Sequence, residues 1–271
     1  MTLVMGIVNV TPDSFSDGGR YLDHDAAIAH GRKLLADGAR ILDVGGESTR
    51  PGAERVPPEA ERERVIPVIA ALAETGAMVS IDTMNASTAV AAVAAGARIV
   101  NDVSGGLADP EMLAAVATTG ADIALGHWRG PSADMYAHAQ YDDIVAEVVA
   151  ELTGRMTDAA SAGIPADRMI VDPGIGFGKL GGQNWDVLHH LPDLSALGAR
   201  VLVGTSRKRF LAEALAESSD VTTERRDLAT AVTSVLAAQA GVWAVRVHDA
   251  AATRDALQVA RLWSTPAEAL R

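Results

Sequence analysis

Short runs of aliphatic residues alternate along this chain with longer, alanine-rich segments whose apolar residues recur at helical spacing. Each aliphatic run ends in glycine or polar residues, as a buried strand does where it enters a loop. Eight such runs predict strands over residues 3–10, 40–45, 78–83, 97–103, 121–127, 168–173, 199–206 and 242–249. The segments between them predict helices, most clearly over 25–37, 59–75, 87–95, 110–119, 144–162, 223–241 and 251–263. This repeated strand–helix pattern predicts an α/β fold of the (β/α)8 or TIM-barrel class.

One sequence unit recurs directly before three of the predicted strands. It reads Gly38-Ala39-Arg40, Gly96-Ala97-Arg98 and Gly198-Ala199-Arg200. Glycine commonly ends a helix, so each copy is typical of a helix-to-strand connection. Since no Pro-, Gly- or Ser-rich linker divides the chain, we expect residues 1–271 to form a single domain. An open, doubly wound sheet is the main alternative, because strand order is not visible in a sequence.

Composition agrees with a core built around a parallel sheet. Apolar residues make up 48% of the 271 residues and aromatic residues only 4%, so Ala, Val, Leu and Ile must fill the core. The formal net charge of −12 argues against a nucleic-acid backbone or an anionic membrane as the partner. The absence of cysteine excludes disulfides, thiolate nucleophiles and Cys-ligated metals. With no leader-like or membrane-spanning run, we expect a cytoplasmic protein.

Almost every predicted strand ends in a side chain suited to binding or catalysis. In barrel enzymes the C-terminal ends of the strands surround the active site, whereas the opposite ends are usually structural. Strand alternation turns Arg246 and His248 towards the barrel axis and the neighbouring valines towards the helices. A charge inside the barrel is costly unless it is paired or functional. The candidates are Asn9, Asp43, Glu47, Asp82, Asn101, Asp102, His127, Asp172, the Ser206-Arg207-Lys208 run, Arg246, His248 and Asp249.

Some of these candidates also have a structural interpretation. For Asp43 and Asp102 we favour a role as hydrogen-bonding groups inside the barrel. His127 fits equally well as a hydrogen-bonded buried histidine or as an acid–base group. Asp249 immediately precedes a predicted helix, and an N-terminal cap is its favoured role.

Three loops after predicted strands are unusually rich in glycine and polar residues. The first, residues 11–19, has the length and composition of a lid that closes over substrate. The second, residues 45–52, combines glycines with Arg50, which is suited to binding an anion. The third, residues 172–179, contains a G-x-G-x-G run. That run is only a weak dinucleotide-binding signal, because an acid and a proline precede it.

Side-chain chemistry narrows the class of substrate. Arg207, Lys208 and Arg246 follow the last two strands, where many barrels bind phosphate. Asn9 and acids of the first loop supply the oxygen ligands that Mg²⁺ prefers. Carboxylates accept two hydrogen bonds at once, which suits a ring with amidine-like N–H groups. The residues predict a polar heteroaromatic substrate, read by Asp82, Asn101, Asp172 and Lys208, with a phosphate or diphosphate nearby.

The same segments closely resemble the dihydropteroate synthases of folate biosynthesis. The motifs run in order from Met5 to Asp249: MGIVNVTPDSFSDGG, DVGGESTRPG, SIDT, NDVSGG, DPGIGFGK, SRKRF and RVHD. The resemblance implies a pterin-binding barrel that joins 6-hydroxymethyl-7,8-dihydropterin diphosphate to p-aminobenzoate and releases diphosphate. It also implies Mg²⁺ as the cofactor, a homodimer formed through late helices, and inhibition by sulfonamides. Gly126 stands where the family often has a methionine that packs on the pterin.

The resemblance assigns roles residue by residue. Asp82, Lys208, Arg50 and Phe15 are its catalytic candidates. It places Asp82, Asn101, Asp172 and Lys208 in the pterin pocket. The diphosphate is assigned to Asn9, Arg246 and His248, with Asn9 also binding Mg²⁺. The p-aminobenzoate site is assigned to Phe15, Thr49, Pro51, Phe177 and Lys208. An ionised Asp82 would stabilise a cation-like pterin methylene as diphosphate leaves.

Three other functions are compatible with a barrel of this kind. A non-catalytic relative would bind pterin without turnover, although the intact Asn9, Phe15, Arg50 and Lys208 argue against it. A pterin-dependent methyltransferase domain would lack the first loop and the SRK segment. A Schiff-base aldolase would use Lys208 as its nucleophile.

Overall fold

Eight parallel strands, joined in sequence order, close into a barrel. The computed structural model describes residues 1–11, 20–48, 55–131, 135–137, 139–216 and 221–265, and only the backbone of residues 20–23. The strands are β1 (Leu3–Asn9), β2 (Ile41–Gly45), β3 (Met78–Asp82), β4 (Ile99–Asp102), β5 (Asp122–Gly126), β6 (Met169–Asp172), β7 (Arg200–Val203) and β8 (Ala244–Val247). Pairing of β1 with β8, with Met5 opposite Arg246, completes the ring. The predicted (β/α)8 class is therefore confirmed, and the open-sheet alternative is wrong.

Helices cover the outside of the barrel. They are α1 (Arg20–Ala36), α2 (Pro58–Ala73), α3 (Ala86–Ala94), α4 (Met112–Ala117), α5 (Ile144–Ser161), α6 (Gly181–His189), α7 (Leu191–Ser195), α8 (Arg209–Leu215), α9 (Thr223–Gln239) and α10 (Ala250–Trp263). Within the described residues, no helix has the length and hydropathy needed to cross a membrane.

Strand alternation separates two apolar layers. Outward-facing aliphatic residues such as Val44, Ile81 and Val245 are fully buried against the helices in one continuous core. The inward-facing apolar residues form a second cluster within the barrel, made of Met5, Ile41, Ile99, Ala124, Ile170, Leu202 and Ala244, with Leu3 and Trp243 packed against it. Above this inner cluster, towards the C-terminal ends of the strands, the inward positions become polar. The barrel therefore rests on an apolar interior and presents its charges at one mouth.

The predicted connections agree with the structure. Gly38, Gly96 and Gly198 all have positive φ, at 105°, 115° and 79°, as the recurring helix-to-strand unit requires. Asp249 caps α10, since its carboxylate accepts a hydrogen bond from the Ala252 N–H at 2.9 Å. Its favoured role as a cap is confirmed.

Helices α6, α7 and α8 were not among the predicted elements. The first begins with two glycines, which have poor helix propensity, and the other two span only five and seven residues. Segments this short carry too few turns for a clear hydrophobic period.

Candidate active site

Arg246 holds two carboxylates at the barrel mouth. Its Nε donates to Asp43 Oδ2 and its Nη2 donates to Asp82 Oδ2, both at 2.6 Å. Asn101 Nδ2 donates to the same Asp43 oxygen at 3.0 Å. The Asp43 side chain is fully buried, and its Oδ1 has no hydrogen-bond partner among the described residues. Asp43 is thus an internal anchor, as favoured from the sequence, and it brings Arg246 and Asn101 together.

The charges of this cluster depend on each other. Burial raises the pKa of Asp82 to about 7, although the neighbouring Arg246 guanidinium opposes that rise. Burial alone would lower the pKa of Arg246, but Asp43 and Asp82 outweigh it and raise the pKa above its usual value. We therefore treat Arg246 as permanently charged and Asp82 as a carboxyl that ionises near neutral pH.

Lys208 and Asp172 form the opposite part of the mouth. The Lys208 ammonium donates to the Ile175 carbonyl oxygen and lies 4.4 Å from the centroid of the Phe177 ring. Burial lowers the pKa of Lys208 to about 8, and attraction to Asp172 partly offsets that fall. Burial raises the pKa of Asp172, against the attraction of Lys208. Lys208 and Arg246 lie close together, since a Cβ atom on Gly204 would be 3.8 Å from Lys208 Nζ and 3.7 Å from Arg246 Cβ. Arg246 in turn pairs with Asp82, so these charged groups surround one mouth.

Arg207 does not belong to this space. Its backbone is left-handed, with φ of 57°, and its guanidinium forms two hydrogen bonds to Asp227 on α9, at 2.7 and 2.8 Å. Left-handed backbone is unusual outside glycine, and here the Asp227 ion pair accompanies it. The prediction that Arg207 joins a phosphate-binding cluster is therefore wrong. The turn directs Arg207 outwards and leaves Ser206 and Lys208 at the mouth.

Asn9 ends β1 and His248 directly follows β8, the two strands that close the barrel. His248 Nδ1 is 2.9 Å from Ser206 Oγ, and the His248 N–H donates to the same oxygen at 3.1 Å. Asn9 is the last residue of β1 and pairs in register with Gly45 of β2. Arg246, which precedes His248 by two residues on β8, completes this side of the mouth.

The loop after β6 has backbone that only glycine adopts readily. Gly174, Gly176 and Gly178 all have positive φ, at 64°, 79° and 57°. A Cβ atom on Gly176 would lie 2.8 Å from Lys208 Cδ. The G-x-G-x-G run therefore allows the loop to approach Lys208 closely, and its glycines serve this turn.

His127 takes part in a buried chain of contacts beside that loop. Its Nδ1 is 2.8 Å from Lys179 Nζ, and its Nε2 is 3.1 Å from Glu151 Oε2 on α5. Burial, reinforced by the nearby Lys179, lowers the pKa of His127 to about 4. Of the two interpretations left open by the sequence, this geometry favours a hydrogen-bonded buried histidine. The sequence analysis included Lys179 only as the last residue of the third loop, because no local pattern indicates that its side chain is buried.

Asp102 and Glu47 organise loops. Asp102 accepts hydrogen bonds from the Ser104 N–H and Gly106 N–H, at 2.8 and 2.7 Å, which supports its structural interpretation. Glu47 accepts from the Val56 N–H at 2.8 Å and pairs with Arg55 at 3.0 Å. Glu47 therefore joins the two ends of the second loop. Phe15, Thr49, Arg50 and Pro51 lie outside the described residues.

Gly126, the departure from the family noted above, is tightly enclosed. A Cβ atom there would clash with the Val103 carbonyl oxygen and lie 2.7 Å from its carbonyl carbon. Any side chain at this position would require the loop after β4 to move.

The described residues offer few ligands for a divalent cation, and the acids of the first loop lie outside them. Within the described part of the chain, no three His, Asp or Glu side chains are grouped as metal ligands. Mg²⁺ commonly uses one or two protein oxygens together with substrate phosphates and water. Asn9, at the end of β1, offers such an oxygen, so the residues fit a Mg²⁺ that would take its other ligands from a substrate phosphate and water.

Comparisons with known proteins agree on one family. The sequence profile described as pterin binding enzyme matches residues 5–248. A dihydropteroate synthase of Mycobacterium leprae is 51% identical over 263 residues, covering 96% of this chain and 93% of that protein. The structure of Xanthomonas albilineans dihydropteroate synthase with 4-aminobenzoic acid has a TM-score of 0.90 and 48% identity, and covers 98% of this chain and 94% of its own. A complex of the Xanthomonas enzyme with 7,8-dihydropteroate has a TM-score of 0.86 and 45% identity, covering 98% and 95%.

Proposed function

The chain belongs to the family of pterin-binding enzymes, and we propose that its barrel mouth carries out the dihydropteroate synthase reaction with the roles set out below. In this reaction the amine of p-aminobenzoate displaces diphosphate from the methylene carbon of 6-hydroxymethyl-7,8-dihydropterin diphosphate. The carbon–oxygen bond breaks, a carbon–nitrogen bond forms, and the amine loses a proton. The observation that carries the proposal is the meeting of Asp82, Asp172, Lys208 and Arg246 at one mouth.

The pterin is proposed to bind deepest, against Asp82, Asn101 and Asp172. Asp82 and Asp172 end β3 and β6, and Asn101 is the last residue but one of β4. Carboxylates accept paired N–H groups, which the pterin ring presents along one edge. Arg246 and Asn101 are already fixed by the buried Asp43, so the pocket is preorganised before substrate arrives. Lys208 completes it from the side of β7.

Diphosphate is proposed to bind above β1 and β8. The two ion pairs of Arg246 use its Nε and Nη2, which leaves Nη1 outside them and available to an anion. His248 is oriented by Ser206, and Asn9 lies across from it at the end of β1. Positive charge that is fixed beforehand stabilises the negative charge developing on the leaving group. Mg²⁺ held by Asn9 and the diphosphate would add to that neutralisation.

Asp82 is proposed to act on the other partner of the broken bond. As diphosphate leaves, positive charge develops on the pterin methylene and spreads into the ring. An ionised Asp82 in a poorly solvated pocket stabilises that charge more strongly than water would. Arg246 keeps Asp82 in position, and it also contacts the leaving group, so one guanidinium couples the two ends of the reaction.

p-Aminobenzoate is proposed to bind nearer the opening, between Phe177, Lys208 and the residues Phe15, Thr49 and Pro51 of the two loops. The Phe177 ring and the Lys208 ammonium are 4.4 Å apart, so together they offer an apolar face and a positive charge. An arylcarboxylate needs both. Arg50 would join from the second loop and help to exclude water.

Turnover by the purified protein is the direct test of this assignment. With the dihydropterin diphosphate, p-aminobenzoate and Mg²⁺, we expect equal amounts of diphosphate and 7,8-dihydropteroate to form. Removal of the metal with a chelator should slow diphosphate release. Pterin binding in a calorimeter without any product would instead identify a binding protein, and borohydride trapping of a carbonyl substrate on Lys208 would identify an aldolase.

A homodimer is proposed from an apolar surface on the last two helices. Leu228, Val232 and Leu236 recur every four residues on α9 and are 67%, 52% and 56% exposed. On the neighbouring α10, Val259 and Trp263 are 65% and 89% exposed. An apolar patch of this kind is typical of an interface between subunits.

We expect the protein to sediment at twice its chain mass of 28.1 kDa, and the double substitution Leu228→Glu/Val232→Glu to give the monomer. Buried glutamates facing each other across a two-fold interface would be strongly destabilising. Val90→Glu is a matched control, because Val90 is 40% exposed on α3. A wild-type protein that remains monomeric at micromolar concentration would contradict the dimer.

A further inference from the structure

Lys179 is a buried lysine outside the proposed list of substrate contacts. Its side chain is among the largest fully buried ones, with a residue exposure of 1%. Its Nζ donates to the Gly174 and Phe177 carbonyl oxygens at 3.0 and 3.1 Å, and lies 2.8 Å from His127 Nδ1. All three partners are neutral. Burying an ammonium group costs several kcal/mol by order of magnitude, so its presence calls for a function of its own.

The hydrogen bonds can accommodate a charged lysine, although burial lowers the pKa of Lys179 to about 7 and attraction to Asp172 only partly offsets that fall. An ammonium group has three N–H donors, and Lys179 has three acceptors around it. If His127 Nδ1 accepts, its proton is on Nε2, which lies 3.1 Å from Glu151 Oε2 but makes no well-aligned hydrogen bond among the described residues. Glu151 is in turn bound by Arg129, which also pairs with Glu147 at 2.6 Å. The chain of contacts therefore begins at the surface of α5 and ends on the loop after β6.

Two lysines hydrogen-bond to the backbone of this loop. Lys179 donates to the carbonyl oxygens of Gly174 and Phe177, whereas Lys208 donates to that of Ile175, which lies between them in the sequence. The Tyr141 hydroxyl donates to the next carbonyl, that of Gly178, at 2.9 Å. A loop with three glycines in left-handed conformation has little stiffness of its own, so its position depends on such external bonds.

We propose that Lys179 is a positioning residue for p-aminobenzoate. Its hydrogen bond to the Phe177 carbonyl oxygen fixes the backbone of Phe177, and this keeps the Phe177 ring opposite the Lys208 ammonium. The inference rests on the proposed function, because it assigns Phe177 to the p-aminobenzoate site. Lys179 itself does not touch substrate. Its effect on the pterin is the smaller one. Asp82 and Asn101 are held by Arg246 and Asp43, and this loop reaches the pterin pocket only through the Gly174 N–H bonded to Asp172 and the Ile175 carbonyl bonded to Lys208.

Steady-state kinetics of Lys179→Met test this assignment, because methionine keeps the length of the side chain and removes its donors. We expect the KM for p-aminobenzoate to rise about tenfold, and the KM for the dihydropterin diphosphate to stay within about twofold of wild type, less than the 1.4 kcal/mol of a tenfold change. Lys33→Met is the matched control, because Lys33 is a 70% exposed side chain on α1. An unchanged KM for p-aminobenzoate overturns the proposal, and so does an equal rise in both KM values.

A second pair of variants keeps the test decisive if Lys179→Met does not fold. Glu151→Ala removes the carboxylate beside His127 Nε2. Because the Glu151 side chain is 41% exposed, the fold should tolerate this substitution. It should raise the KM for p-aminobenzoate alone, by about threefold or roughly 0.65 kcal/mol; no rise overturns the proposal. Phe177→Ala is measured in parallel. If Phe177→Ala leaves the KM for p-aminobenzoate unchanged, the proposed p-aminobenzoate site is wrong. If Phe177→Ala raises that KM but Lys179→Met and Glu151→Ala do not, the positioning role of Lys179 is wrong.

Discussion

Asp82→Asn is expected to lower kcat by about a hundred- to a thousandfold, while the affinity for the dihydropterin falls much less. Asparagine keeps the shape of the side chain and can still accept a hydrogen bond, so ground-state binding is largely retained. It removes the negative charge that opposes the positive charge of the breaking bond, and that interaction is strongest in the transition state. Pre-steady-state rates and pterin dissociation constants measure the two effects separately.

The pH dependence of the wild-type enzyme provides a second view of Asp82. Because burial raises its pKa to about 7, the ionised form decreases as the pH falls through neutrality. We therefore expect kcat/KM to fall on the acid side of about pH 7, and Asp82→Asn to lack that limb. Asp122→Asn is the control, since Asp122 pairs with Arg200 at 2.9 Å at the opposite end of the barrel. Equal losses of kcat and pterin affinity in Asp82→Asn would contradict the proposed charge stabilisation.

Arg246→Met is expected to destabilise the fold by about 3–5 kcal/mol and to abolish measurable turnover. The substitution leaves Asp43 and Asp82 without their common cation in a region where Asp43 is fully buried. Thermal unfolding should report a lower midpoint, by roughly 10 °C. The loss should be larger at pH 8 than at pH 6, because unpaired buried carboxyls are relieved by protonation as the pH falls.

A double variant separates stability from catalysis at this position. Adding Asp43→Asn to Arg246→Met removes one of the two uncompensated charges, so part of the stability should return. Turnover should not return, because the diphosphate still lacks the guanidinium. An Arg246→Met protein that melts at the wild-type temperature would show that the two ion pairs do not support the barrel.

The periodicity of the strands predicted the inward charges of the mouth correctly. At the end of β8, valines alternate with Arg246 and His248, and this alternation predicted that the two polar side chains face the barrel interior. The same rule predicted the inward direction of Asp82. This succeeds because a two-residue period is a local property, and a barrel has only an inside and an outside. The glycines before three strands were equally informative, since positive φ is a requirement of one residue.

Contacts between distant segments could not be predicted in the same way. In the sequence Arg207 and Lys208 are adjacent cations with no feature that separates them. In the structure a left-handed backbone at Arg207 and its ion pair with Asp227 direct Arg207 away from the mouth. Lys179 and His127 look like unrelated polar residues, and only the packing of β5, α5 and the loop after β6 makes them partners. Such contacts depend on how elements pack, which local spacing does not determine.

The apolar cluster inside the barrel, from Met5 around to Ala244, leaves the mouth without a rear exit. Among the described residues, a substrate therefore reaches Asp82 from the C-terminal ends of the strands, the end at which Phe177 and Lys208 also lie. A pterin lying at the bottom is therefore enclosed once the arylamine sits above it. With the proposed sites, we expect an ordered reaction in which the dihydropterin diphosphate binds before p-aminobenzoate.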